Sequence, residues 1–167
     1  MTDNAMASVN TQVLPKNIKA HLSGFYNYSK SALAAASGDG WIYNELNVAA
    51  NTSTTIIAAT DDFLDNKAHG AVDTDDTIPW ICIQHTGTTD GSTVTTDGIM
   101  IALDGAASYN DANGIFLNAN ETVVLKLPYT VTANLRVITV TVTSSKPSAA
   151  GTDAVRINYA AVITNVD

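Results

Sequence analysis

From Trp41 onward the chain alternates between short β-branched or aromatic runs and clusters of Gly, Asp, Asn, Thr and Pro. Runs of that length, punctuated by turn formers, predict strands. They fall at 41–48 (WIYNELNV), 54–60 (TTIIAAT), 78–85 (IPWICIQH), 98–104 (GIMIALD), 114–118 (GIFLN), 121–127 (ETVVLKL), 136–143 (RVITVTVT) and 154–164 (AVRINYAAVIT). No long helix separates them to carry parallel crossovers, so antiparallel pairing follows. The expected fold is all-β: an antiparallel β-sandwich, jelly-roll-like, with an extended N-terminal arm.

Side-chain alternation assigns faces. In RVITVTVT, Ile138, Val140 and Val142 fall on one face, read as core, and Thr139, Thr141 and Thr143 on the other, read as wet. In the last strand Val155, Ile157, Tyr159, Ala161 and Ile163 point inward, with Arg156 and Asn158 outward. IPWICIQH is apolar on both faces, Ile81 and Ile83 on one and Trp80 and Cys82 on the other. Such a strand is either central or buries its second face on another subunit.

Turn chemistry supports the hairpins. Asp90-Gly91, Asp97-Gly98, Asp104-Gly105 and Asn113-Gly114 can all supply the positive φ of tight turns. Segment 86–97 (TGTTDGSTVTTD) reads as a surface loop without a hydrophobic anchor, and 146–151 (KPSAAG) as a second loop. Residues 1–15 are small, polar and aperiodic, and read as an arm that orders on a partner. Within 16–37, SKSALAAAS is a candidate short helix ended by Gly38 and Gly40. The domain reading is an arm over 1–20 and one β-sandwich over 21–167.

Composition narrows the function classes. The 167 residues are 46% hydrophobic but only 14% charged, against about 25% in an ordinary soluble domain, so the polar surface is largely Thr, Ser and Asn. A net charge of -8 repels phosphate backbones, which argues against a nucleic-acid partner. No apolar run approaches a membrane span and no basic amphipathic stretch occurs, so no membrane partner is expected. The N-terminus lacks a secretory signal pattern and begins with Met1, an expectation of cytoplasmic synthesis. The single cysteine, Cys82, allows no intramolecular disulfide.

The chemistry-bearing residues are dispersed. His21, His69 and His85 lie in separate segments without zinc-site spacing. Cys82 and His85, three apart on one strand, point to opposite faces, which rules out a local Cys-His nucleophile. Asp61, Asp62 and Asp65, then Asp73, Asp75 and Asp76, form acidic clusters. They could hold Ca²⁺ in principle, but their spacing does not match an EF-hand loop, and solvated loops are the simpler reading. No nucleophile elbow, Walker loop or dinucleotide fingerprint occurs. No enzyme activity, metal or cofactor is therefore expected. Tyr26, Tyr28, Tyr43, Tyr109 and Tyr129 are candidates for a sugar-stacking platform or for packing at sheet edges and subunit contacts.

The stretch Ile78–Leu127 holds an apolar strand ending in His85-Thr86-Gly87, a Thr/Ser-rich loop, the segment DGIMIALDG and the strand pair NGIFLNANETVVLKLP. This resembles the capsid decoration (cement) proteins of tailed bacteriophages, over about a third of the chain. The resemblance implies a virion protein, made in the host cytoplasm, that sits on the outer capsid surface. It further implies a homotrimer whose partner is the major capsid protein, with no catalytic site. The expected partner contacts are Val13, Leu14 and Ile18 of the arm, with Trp80, Tyr109 and Tyr129. The alternative is a carbohydrate-binding or adhesion β-sandwich module.

Overall fold

The computed structural model describes residues 4–13, 22–31, 40–59, 61, 72–106, 108, 109 and 114–164. The chain divides into two compact units, Met1–Ala34 and Ala35–Asp167. In the first, β1 (Asn4–Val13) pairs antiparallel with β2 (Leu22–Ser31). The segment read as an aperiodic arm thus carries a strand, and Ser29–Ser31 of the helix candidate belong to β2. The rest of that candidate, 32–37, lies outside the described residues, as do the expected boundary after residue 20 and Leu14, Ile18, His21, Asp62, Asp65, His69 and Asn113.

The second unit is a sandwich of two antiparallel sheets. Its strands are β3 (Gly40–Val48), β4 (Ser53–Thr55), β5 (Thr77–His85), β6 (Gly98–Ala102), β7 (Ile115–Leu117), β8 (Thr122–Val131), β9 (Arg136–Thr143), β10 (Lys146–Ala150) and β11 (Val155–Thr164). One sheet has the order β3-β11-β5-β8, the other β10-β9-β6-β7, with β4 also pairing β9. Setting β10 aside, the first sheet runs first-last-third-sixth and the second takes the remaining four as second-seventh-fourth-fifth. Apart from the β6-β7 pair, which stays in one sheet, sequence neighbours thereby alternate between layers, the double Greek key of a jelly roll.

The core between the layers is aliphatic. Ile81 and Ile83 of β5, with Val155, Ile157, Tyr159, Ala161 and Ile163 of β11, meet Ile99 and Ile101 of β6 and Val137 of β9. Each fully buried side chain of this kind contributes about 1.5–3 kcal/mol relative to exposure. The inward set assigned to the last strand is the observed one, and the two-sided strand β5 is central, between β11 and β8. Its outer face carries Trp80, 5% exposed, whose ring meets Trp41 edge-on at 5.6 Å.

Strand β9 departs from its expected faces. Val137 joins the main core, and the same parity puts Thr139, fully buried, on the inward side. Its hydroxyl is satisfied there by the Asn51 N–H and the Ala49 carbonyl. Ile138 and Val140, read as core, form a separate outer cluster with Met100, flanked by Tyr109 and Phe116. Both faces of this strand are covered, so hydrophobicity alone marked the wrong one.

Other boundaries shift for local reasons. The strand expected over 54–60 stops at Thr55, because Ile56 and Ile57 turn into the core and the Ile56 N–H bonds the Leu135 carbonyl. The expected loop 146–151 holds β10, which pairs with β9 through the two-residue turn Ser144-Ser145, φ 52° and 62°. That geometry is usually signalled by Asn-Gly, so two serines concealed it. Of the expected turn glycines, Gly91 and Gly105 have positive φ, whereas Gly98 and Gly114 do not. At these two a Cβ would sit 2.6 Å from the Phe116 ring and 2.3 Å from the Met100 side chain, respectively, so close packing requires glycine there.

Candidate functional site

The outer face of the β3-β11-β5-β8 sheet is built by register. Because odd-numbered β11 residues fill the core, Arg156, Asn158 and Ala160 face outward. Asn158 lies opposite Glu45 and Gln84, and Arg156 opposite Asn47. One step along, Ala160 lies opposite Tyr43 and Cys82, and Cys82 opposite Val124. The face is therefore graded, with a polar end at Arg156, Asn158, Glu45, Asn47 and Gln84, and a partly exposed apolar row Tyr43-Ala160-Cys82-Val124 beside it.

At the polar end the 86–97 segment folds over and makes a groove. Arg156 donates its backbone N–H to Thr88 and accepts the Thr86 N–H, so the start of the loop continues the pairing of β11. The Arg156 guanidinium donates to the Asp90 carbonyl at 2.8 Å and forms an ion pair with Glu45. A pair this exposed contributes at most about 1 kcal/mol, so its role is to fix the guanidinium in place. The groove has a volume of about 520 Å³ and is lined by Glu45, Thr86, Thr88, Asp90, Arg156 and Asn158. A second recess of about 360 Å³ adjoins it through Glu45 and Arg156 and adds Tyr43, Asn44 and Asn47. Tyr43 is 51% exposed. Among the described residues, the Oδ1 of Asn158 is buried without a hydrogen-bond partner.

Hydrogen bonds fasten the loop at both its tip and its base. At the tip, the Asp90 carboxylate accepts the backbone N–H groups of Thr93 and Ser92, each at 2.8 Å, and the Ser92 hydroxyl at 2.9 Å. These bonds hold its pKa down at about 2, the Thr93 N–H being the largest cause. At the base, Asp97, 4% exposed, accepts the N–H groups of Thr152 and Asp153 at 2.6 and 2.7 Å. His85, fully buried, accepts the Gly87 N–H on Nδ1, which leaves Nε2–H to donate to the Asp97 carbonyl. Burial pushes its pKa below 6.5, against the smaller opposing effect of the Asp97 carbonyl bond. The segment read as a surface loop without a hydrophobic anchor is fastened instead by buried polar contacts.

The described members of the expected contact set lie on different elements. Val13 lies at the end of β1 and Tyr129 in β8. Trp80 is covered by its own chain, and Tyr109 packs on the outer cluster of the second sheet. Cys82 is half-buried, its thiol pKa raised by desolvation, and sits on the opposite face from His85.

The second acidic cluster is a self-capped turn, in which Asp73 Oδ1 accepts the Asp75 and Asp76 N–H groups and Asp76 Oδ2 accepts that of Asp73. Asp61 accepts the Ala58 N–H and the Tyr159 hydroxyl, and burial with this anion raises the phenol pKa. Among the described residues no three His, Cys, Asp or Glu side chains converge to hold a metal, and no helix is long and apolar enough to cross a membrane. The groove residues Glu45, Asn47, Arg156 and Asn158 gave no signal as a site in the sequence. Each reads as an ordinary outward polar residue, and only the β3-β11 register brings them together. Comparison with protein-family models, curated proteins and solved structures finds no match to this chain.

Proposed function

We propose that the chain is a virion structural protein, a capsid decoration (cement) protein that binds the outer capsid surface as a homotrimer and stabilises the major capsid lattice. The observation that carries this reading is the apolar row Tyr43-Ala160-Cys82-Val124, which crosses four strands and remains partly exposed. A continuous apolar band on a sheet face suits contact with other chains. The jelly-roll topology adds support by analogy, since viral capsid domains use it. The role is mechanical. Modest contacts repeated around a symmetry axis add through avidity, and binding to the assembled lattice alone shifts its equilibrium toward that state.

The test is co-sedimentation with shells of the encoding virus that lack this protein. Val124→Asp places a charge in the row at a partly exposed position, so the fold should survive. The reading expects saturable binding by the native chain and a loss of occupancy in the variant. Equal occupancy for both, or none for the native chain, contradicts it.

A further inference from the structure

We propose that the groove between β3, β11 and the 86–97 loop binds a neutral, polyhydroxylated ligand of the oligosaccharide class. Four features converge on that chemistry. The lining is rich in polar groups, with donors and acceptors mixed in the amides of Asn47 and Asn158, the hydroxyls of Thr86 and Thr88, and Glu45 with Arg156. A sugar hydroxyl is both donor and acceptor, and mixed sets of this kind satisfy it. The only cation among the described lining residues, Arg156, is already engaged by Glu45 and the Asp90 carbonyl, and the chain carries -8 overall, so a polyanion is disfavoured.

An exposed aromatic ring, Tyr43, borders the small Ala160 in the register. That leaves room for a flat apolar sugar face against the ring. Finally, Asn158 keeps one buried amide oxygen unpaired on the groove wall. Leaving an acceptor unpaired is unfavourable, and rotation of that amide toward a ligand hydroxyl satisfies it. The groove is also pre-formed, because Asp90 ties the loop tip and His85 and Asp97 tie its base. Little ordering entropy is then lost on binding. Tyr43 also belongs to the row assigned to capsid contact, so a saccharide and the lattice compete for that ring and the site is offered by the free chain.

The experiment is a chemical-shift titration of the full chain with maltohexaose, cellohexaose and triacetylchitotriose at millimolar concentration, with oligogalacturonate as an acidic comparison. At least one neutral saccharide should shift the side-chain amides of Asn47 and Asn158 and the Gly91 N–H saturably. Asn47→Ala and Glu45→Gln, each with unchanged melting temperature, should weaken that binding by about tenfold. The proposal is overturned if no neutral saccharide moves these signals, if both variants bind as tightly as the native chain, or if oligogalacturonate binds in preference.

Discussion

Nε2 of His85 lies 2.9 Å from the backbone carbonyl of Asp97, while Nδ1 of the same ring takes the Gly87 N–H at 2.9 Å. One neutral imidazole therefore spans the two ends of the loop that roofs the groove. Protonation would put a proton on Nδ1 facing the Gly87 N–H, so the charged form cannot keep both bonds.

The consequence for acid stability has a definite sign. His85 has a folded pKa below its ordinary 6.5, so between those values the unfolded chain binds more protons than the folded one. Stability from this residue is complete above 6.5 and lost as pH falls from there toward the folded pKa. Denaturant unfolding at about pH 8 and about pH 5 should show this loss, and His85→Leu should reduce it. At the higher pH the variant should be less stable by about 1–3 kcal/mol, because the Gly87 N–H and Asp97 carbonyl lose their partner.

Asp90 acts in a lower window. Its carboxylate, held at about 2 by the loop N–H groups, supports the tip above its ordinary 3.8 and releases it as pH falls through about 2. Amide exchange at Ser92 and Thr93, corrected for intrinsic rates, should accelerate across that window. Asp90→Asn should show faster exchange at neutral pH, and equal protection in both proteins would argue against the cap.

The β9-β10 turn holds two serines in the left-handed region, φ 52° and 62°. Side chains there are strained by about 1 kcal/mol or more, which Asn-Gly largely avoids. The double change Ser144→Asn, Ser145→Gly should raise stability by about 0.5–1 kcal/mol, read as a higher denaturation midpoint.

Gly151 tests the packing at the other end of β10. A Cβ there would lie 2.4 Å from Thr139 Oγ1 and 2.7 Å from the Thr139 carbonyl carbon, and the Gly151 N–H bonds the Thr139 carbonyl at 2.7 Å. Gly151→Ala should cost about 1–3 kcal/mol, seen as a lower melting temperature with secondary structure retained.

What the sequence revealed follows from what period-two patterning encodes. It located β3, β5, β9 and β11 closely, because each has a long apolar or alternating run, and it found the inward face of β11. It failed where tertiary contact overrides the local pattern. Ile56 and Ile57 look like strand residues but close the core, and Ile138 and Val140 look like core but lie under Met100 and Phe116. The groove was illegible because Glu45 and Arg156 are far apart in sequence and meet only through the pairing of β3 with β11.

Whether the chain reinforces a capsid lattice is read from the thermal melting of shells with and without it. Shells saturated with the protein should open at a higher temperature, by a margin that shrinks with the Val124→Asp variant. Identical melting with and without bound protein, or a chain that never leaves the supernatant, contradicts the account.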